Sequence, residues 1–576
     1  MTDYLGFSCS QHDPAIAVVD EDGHVVFAEA NERALKYKRG WHATPDPLGL
    51  IEPILDAHVN DAEISANVTW SNASLRSARS LARLSRMALR LFAATGRDEA
   101  ELWRGWYFRH ALYRAPSSTD DLLLNLDVRL RERRGYRFAY RKQGWNHHLC
   151  HAATACHSSP FDEALCVVMD GMGEGASTAV FSFADGRLTR LDARQFTNLA
   201  SLGIFYSQLC FAVGFDPLAG EEWKLMGLAA YGEVNEELYR LLRPVLGVRR
   251  NRLSISRAHA QWFEQVLRAR PNGFRENADL AATAQKVFED VLMEFLSAAH
   301  ARWGHADLVL AGGCALNSSA NGKILAATPF ERLHVPMAPG DDGNCVGAAL
   351  LAWQADHPNR TVPRFVSPYL GSALSPDGLE RLETYGMRPV LVARGIDELV
   401  GFVAEHLAGG AIVGWARGRA EFGPRALGNR SILADPRSVA TRDRLNAAVK
   451  FREEFRPFAP SILHEHGPDY LEDYQPSPYM ERTLRWREGK APQGVRHVDG
   501  TGRVQSVTRE ASPSFHALVS AFHRLTGVPV ILNTSFNVMG RPMVHDVEDA
   551  LGVFLTSDLD LLVLDDVVYA KREHSS

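Results

Sequence analysis

Apolar and polar positions follow one plan twice in the first two hundred residues. Tyr4-Leu5-Gly6-Phe7 is a short apolar run and a polar stretch through Pro14 follows it. A second run, Ala15–Val19, turns at Asp20-Glu21-Asp22-Gly23 into Val25-Val26-Phe27. Apolar runs of this length on either side of an Asp-Gly turn predict a strand and then a β-hairpin. The order returns in Ala164–Met169, which ends on Asp170, then Thr178–Phe183, a turn at Asp185-Gly186, and Leu188. Two such units predict a duplicated α/β domain with a ligand in the cleft between the halves.

Further on, Leu280, Ala284, Val287, Val291, Phe295 and Leu296 recur at helical spacing and predict a helix over Glu276–Trp303. A strand, Leu308–Ala311, runs into Gly312-Gly313 and then Asn317 and Asn321. Pro339-Gly340-Asp341-Asp342-Gly343-Asn344 precedes a small-residue helix start at Gly347-Ala348-Ala349. Residues 74–141 read as an Arg-rich helical insertion with Trp103, Trp106 and Tyr107. Residues 356–376, rich in Pro and polar residues, read as a linker between a domain over 1–355 and another over 377–576. The duplicated first domain has an analogue in the actin-like, sugar-kinase-like architecture.

Bulk properties narrow the class. A chain of 576 residues exceeds one hydrophobic core, and 46% hydrophobic with 23% charged residues is ordinary for a globular protein. A net charge of −6 and a pI of about 6.4 argue against a general nucleic-acid binder. No run is long and apolar enough to cross a bilayer, and Met1-Thr2-Asp3-Tyr4 carries no signal-peptide pattern. The seven cysteines form no C-x-x-C pair, so reduced thiols and a cytoplasmic location are expected.

Candidate chemistry gathers in two places. His147 and His151 are four apart, so on a helix they share a face and can grip one metal ion. The strand after them delivers Asp170 into Gly171-Met172-Gly173-Glu174-Gly175, and Asp341 offers a second carboxylate. Glycines there and at Gly312-Gly313 let backbone N–H groups approach a phosphate. The plain alternatives are surface histidines and tight turns. The second place follows the strand Ile412–Trp415: Arg417, Arg419, Arg425 and Arg430 stand among glycines and a proline, with Lys450, Arg452, Arg456, Arg503 and Asn533-Thr534-Ser535-Phe536-Asn537 beyond. Arginine forks in such surroundings predict an anion pocket. A run such as Arg482–Arg487 reads instead as a solvated helix face.

The order of these motifs, with His12-Asp13, Lys224-Leu225-Met226-Gly227-Leu228-Ala229, Gly423-Pro424-Arg425-Ala426-Leu427-Gly428 and Arg456-Pro457-Phe458-Ala459-Pro460, resembles the O-carbamoyltransferases of the NodU/TobZ/CmcH type over nearly the whole chain. The resemblance implies an actin-like, TsaD-like N-terminal domain and a YrdC-like C-terminal α/β domain. It implies an ATP-dependent reaction in which carbamoyl phosphate and ATP give carbamoyl adenylate, and the carbamoyl group passes to a hydroxyl of a small natural product such as an antibiotic or other secondary metabolite. It places a metal on His147, His151, Asp170 and Asp341; Fe(II) is expected, and Mn or Zn also suits two imidazoles and two carboxylates. Mg is expected with ATP. Nucleotide binding in the first domain falls to Asp170, Gly171, Gly173, Glu174, Lys224, Gly312, Gly313 and Asn317. Carbamoyl phosphate and ATP in the second fall to Arg419, Arg425, Lys450, Arg456, Arg503, Asn533 and Ser535, with Lys450, Arg456 and Arg503 as catalytic donors. His12 is the candidate base for the acceptor hydroxyl, since imidazole titrates near neutral pH; the plain alternative is a structural hydrogen bond to Asp13.

The chain departs from the family pattern at Asn31-Glu32-Arg33 and at Lys38-Arg39, where a Lys-His pair is expected. These departures leave the carbamoyl chemistry in place and the acceptor open. The expected partner is a small hydroxylated acceptor, with no nucleic acid and no membrane; a homodimer is one candidate assembly, and the sequence leaves the oligomeric state open. Competing readings are a carbamoyl or threonylcarbamoyl transferase acting on tRNA or protein, an actin-like ATPase switch without transfer, and a sugar kinase.

Overall fold

The computed structural model describes residues 2–8, 12–41, 43–59, 63–70, 123–134, 140–174, 176–192, 200–256, 273–450 and 458–571. Most of the 74–141 stretch, with its two tryptophans, lies outside them, as do Arg452 and Arg456. The chain divides into two compact units: one from residues 1–35, 39–317 and 323–366, the other from 36–38, 318–322 and 367–576. No helix among the described residues is long and apolar enough to cross a membrane.

The first unit carries two five-stranded sheets. One is built from β1 (Thr2–Ser8), β2 (Ala15–Val19), β3 (Val25–Ala30), β4 (Glu63–Thr69) and β5 (Tyr140–Trp145), in the order β3-β2-β1-β4-β5. β1, β2 and β3 are antiparallel neighbours, whereas β4 and β5 run parallel to β1. The other contains β6 (Glu163–Gly173), β7 (Ala176–Ala184), β8 (Arg187–Arg190), β9 (Asp307–Ala311) and β10 (Arg332–His334), in the order β8-β7-β6-β9-β10. Its directions repeat those of the first: a three-stranded meander, then two parallel strands. This repeated mixed sheet is the plan of an actin-like domain, and it places the ends of the parallel strands where ligands bind in open α/β sheets.

The polar-loop reading after Met169 needs correction. The strand does not stop at Asp170; after a register shift it runs on to Gly173, which pairs with Ala176. The glycines therefore belong to a bulged hairpin end that bends Asp170 out of the ladder.

Three helices frame these sheets: α1 (His147–His157), α2 (Leu202–Ala212) and α3 (Phe274–Trp303). A fourth, α4 (Asn344–Asp356), is buried from Asn344 to Trp353. Small residues let it sit close. A Cβ on Gly6 of β1 would lie 1.9 Å from the Cys345 carbonyl oxygen, and one on Gly347 would lie 2.0 Å from that of Cys150 in α1. The glycines thus lock α4 between the first sheet and the histidine helix.

The second unit is a mixed nine-stranded sheet flanked by α5 (Ile396–Ala408) and α6 (Pro513–Thr526). Its strands are β11 (Leu391–Val392), β12 (Val413–Ala416), β13 (Arg430–Ala434), β14 (Ala459–Leu463), β15 (Arg482–Arg485), β16 (Thr501–Val507), β17 (Val530–Ser535), β18 (Leu561–Leu564) and β19 (Val567–Ala570). They lie in the order β11-β19-β18-β12-β13-β17-β14-β16-β15. Arg482 overturns the helix-face reading of its run: it opens β15, is buried, and reaches the Gln475 amide oxygen. Pairing with β16 decides this, and a single-segment charge pattern does not reveal it.

Candidate active site

α1 begins where Asn146 accepts the Leu149 N–H at 3.1 Å. Glu174 reinforces that start. One of its oxygens accepts the His147 N–H at 3.2 Å, and the other accepts the Asn146 side-chain N–H at 3.0 Å. A carboxylate at a helix N-terminus also suits the helix dipole. Glu174, a residue expected at a nucleotide, thus braces the histidine helix.

The helical period then presents His147 and His151 together, with their Nε2 atoms 3.2 Å apart. Asp170 Oδ2 lies 3.2 Å from His147 Nε2, and Asp341 Oδ1 lies 3.5 Å from the Nε2 of each histidine. The four residues are buried, and one ligand atom from each falls within 4.8 Å of all the others. The neighbours fix this arrangement. Gly313 donates its N–H to Asp170 Oδ1 at 3.1 Å, and a Cβ on Gly173 would press to 2.3 Å from His147 Cδ2. Gly312 has φ 88° and passes close over the Met169 carbonyl, where a side chain would not fit.

The electrostatics fit a cation. Burial opposes a charged His147, yet Asp341 and Asp170 raise its pKa to about 9. Burial also opposes ionised Asp170, but the His147 hydrogen bond and the adjacent imidazoles hold its carboxyl well below the usual range. Two anionic carboxylates and two imidazoles, buried and convergent, form a donor set for a divalent ion.

His12 stands beside this cluster. Its Nδ1 is 2.7 Å from Asp13 Oδ2 and 3.9 Å from Asp341 Oδ2. Arg39 clamps the pair, with Nη2 3.0 Å from Asp13 Oδ2 and 2.9 Å from His12 Nδ1. Burial opposes ionised Asp13, while Arg39 and His12 hold it well below the usual carboxylate range. The Trp41 ring meets His12 edge-on at 4.9 Å.

Other residues expected at the first site also make contacts within the protein. Asn317 forms a reciprocal amide pair with Gln285, both bonds 3.0 Å, and Gln285 also accepts from Tyr206 at 2.8 Å. Lys224 pairs with Glu221, its ammonium 5.5 Å from the Phe215 ring centroid. Gly171 lies against Gly203, whose Cβ would fall 2.9 Å from its Cα.

In the second unit the Gly423–Gly428 loop is braced by hydrogen bonds that the sequence did not disclose. Glu421 is fully buried, and one of its oxygens accepts the N–H groups of Leu427, Asn429 and Arg430 at 2.7, 2.8 and 3.0 Å. Asn533 donates to the Ala426 carbonyl at 3.2 Å, and Gln505 to that of Leu427 at 2.8 Å. This loop presents Arg425. Burial pulls the Arg425 pKa down to about 10, and no carboxylate among the described residues opposes it. Lys450 and Arg419 use donors on backbone carbonyls instead: Lys450 on Ser535 and Asn537, Arg419 on Leu370 and Gly371. Arg503 lies on β16 and Ser535 closes β17.

Residues 127–350 match the model of the carbamoyltransferase N-terminus, and residues 404–571 match that of the carbamoyltransferase C-terminus. The nodulation protein NolO of Bradyrhizobium diazoefficiens is 36% identical over 75% of this chain and 79% of its own. The chain belongs to the carbamoyltransferase family. An uncharacterized protein of Synechocystis, sll1178, is 34% identical over 99% of this chain and 97% of its own. A 3'-hydroxymethylcephem-O-carbamoyltransferase of Amycolatopsis lactamdurans is 31% identical over 62% of this chain and 67% of its own. This carbamoyltransferase is therefore a transferase enzyme, and its two matched segments contain the two clusters described above.

Glu421, Gln285 and Gln505 escaped the sequence reading. Each is a lone polar residue with no motif spacing around it. The one signal was its position: Glu421 opens directly onto a Gly-Pro-Arg loop whose backbone N–H groups need acceptors.

Proposed function

We propose that this carbamoyltransferase uses ATP and carbamoyl phosphate to carbamoylate a hydroxyl of a small secondary metabolite. The observation that carries the reading is Arg425, a half-buried guanidinium on a braced loop, with no carboxylate among the described residues acting on it. Such a charge calls for an anionic ligand, and a guanidinium fork fits phosphate oxygens. The name of the cephem relative, an O-carbamoyltransferase, supports an oxygen acceptor.

In the YrdC-like second unit, water takes the phosphoryl group of carbamoyl phosphate and releases inorganic phosphate. The carbamate oxygen left behind attacks the α-phosphorus of ATP, and pyrophosphate departs with its oxygen. Arg425 stabilises the developing charge, with Arg456 and Arg503 as further donors. Lys450 and Arg419 act by holding the backbone around Ser535 and Gly371 in place. In the first, TsaD-like unit the acceptor hydroxyl attacks the carbamoyl carbon. The bond to the adenylate oxygen breaks, AMP leaves, and His12 takes the hydroxyl proton, its ring oriented by Asp13 and Arg39. His147, His151, Asp170 and Asp341 would hold a divalent ion, with Fe(II) as the first choice, and the bound ion would supply Lewis acidity to a phosphate or carbonyl oxygen.

ATP–pyrophosphate exchange with and without carbamoyl phosphate tests the proposal. Exchange that depends on carbamoyl phosphate, is weakened by Arg425→Ala at least ~10-fold in KM for carbamoyl phosphate, and survives His147→Ala is the expected result. ATP hydrolysis that ignores carbamoyl phosphate would sink it and favour an actin-like ATPase.

A further inference from the structure

Trp70 lies at the edge of the first sheet where the site residues emerge. It follows β4, in which Val68 pairs with Phe7 of β1 and Thr69 pairs with Trp145 of β5. β1 ends shortly before His12, and β5 ends just before His147. Trp70 therefore sits between the strands that deliver the candidate base and the first histidine.

Two energetic costs meet at this residue. Its φ is 72°, a left-handed conformation that a bulky side chain rarely adopts. Its indole Nε1 is buried without a hydrogen-bond partner among the described residues. Leaving such a donor unpaired forfeits the hydrogen bond it makes with water in the unfolded chain. Meanwhile the indole ring lies 5.2 Å from the His147 ring, centroid to centroid. Packing against His147 needs only a ring, and phenylalanine would provide one without an orphaned donor. The N–H is therefore the feature in need of a ligand.

We propose that Trp70 contacts the ligand of the transfer site: its indole N–H donates to an anionic or carbonyl oxygen held beside His147, while its ring keeps that imidazole in position. The choice of ligand rests on the two-step reading above. That reading offers two oxygens of this kind, the α-phosphate of the adenylate and the carbonyl of the carbamoyl group.

Substitution in the full-length, metal-loaded protein separates them. Trp70→Phe retains the ring and removes the donor; Trp70→His restores an N–H on a smaller ring. AMP affinity is read by calorimetry, carbamoyl-phosphate-dependent AMP release with water as acceptor by a coupled assay, and metal content by elemental analysis. The expected result is a Trp70→Phe protein with normal metal content that loses roughly 10- to 100-fold in one of the first two readouts, with partial recovery in Trp70→His. Weakened AMP binding assigns the N–H to phosphate. Slower release at unchanged AMP affinity assigns it to the carbamoyl carbonyl. Both quantities within about 2-fold of wild type would overturn the proposal, because a packing role alone moves only the melting temperature. If Trp70→Phe does not fold, 3-benzothienylalanine at position 70 removes the N–H at nearly constant shape and takes its place. A wild-type protein that binds AMP but shows no carbamoyl-phosphate-dependent release refutes the two-step reading, and the AMP comparison then decides Trp70 alone; a wild type that does not bind AMP overturns both.

Discussion

At the scale of single residues, acceptors placed under loops and helix ends matter as much as the groups that face a ligand. Glu174 is the clearest case, since both its oxygens serve the start of α1. Glu174→Ala should lower stability by about 1 kcal/mol, the usual cost of a lost helix cap, and reduce metal retention. Glu174→Gln, which keeps one acceptor, should recover part of both in melting and elemental analysis. A second residue sets a pH dependence. Burial pushes the Asp46 carboxyl up to about 6, against the backbone N–H of Leu126 that pulls it down. A carboxyl raised in the folded state contributes stability fully below its unfolded pKa of 3.8, and that contribution is lost as pH rises through about 6. Asp46→Asn should therefore match wild type near pH 4 in thermal melts and exceed it at pH 7, by on the order of 3 kcal/mol.

At the scale of elements, the site depends on how closely helices and strands approach. α4 carries Asn344 at its start, just after Asp341, and its Gly347 meets the backbone of Cys150 on α1. Adding a methyl group there forces the two helices apart. Gly347→Ala should cost about 1–3 kcal/mol in chemical unfolding, as overpacked cores do, and should lower metal content because His147, His151 and Asp341 separate. Gly347→Ser should be at least as harmful. A surface glycine with open space around it, such as Gly401, should tolerate alanine. The elements themselves were largely legible. The hairpin units, the 30-residue α3 and the strand before Gly312 follow from apolar period and turn residues. The exceptions are instructive. β6 continues past Asp170, and the run at Arg482 is a strand, because in both places a partner strand supplies hydrogen bonds that local pattern does not record.

At the scale of the whole molecule, two units each hold one cluster: a buried pair of histidines with two carboxylates, and an arginine loop braced by Glu421. A net charge of −6 gives the chain no general attraction for polyanions. Carbamoyl-phosphate-dependent turnover should accordingly be indifferent to ribonuclease treatment and to added tRNA, and a strong response to either would point to a tRNA-directed transferase.

The sequence by itself determined the period of each element, and with it which side chains of that element share a face. This is why His147 and His151 could be paired, and why the repeated strand–hairpin plan was visible. Motif order also carried the family. Only the tertiary structure decided which distant residues meet. Asp170 and Asp341 come from different elements, and their convergence on the histidines depends on the close passage of Gly173, Gly312 and Gly347. It likewise set Glu174 at the start of the histidine helix, placed Glu421 beneath the arginine loop, and brought Trp70 against His147. The physical reason is that direction along one element is set locally by backbone geometry, whereas the partner of a buried polar group is set by packing between elements far apart in the chain.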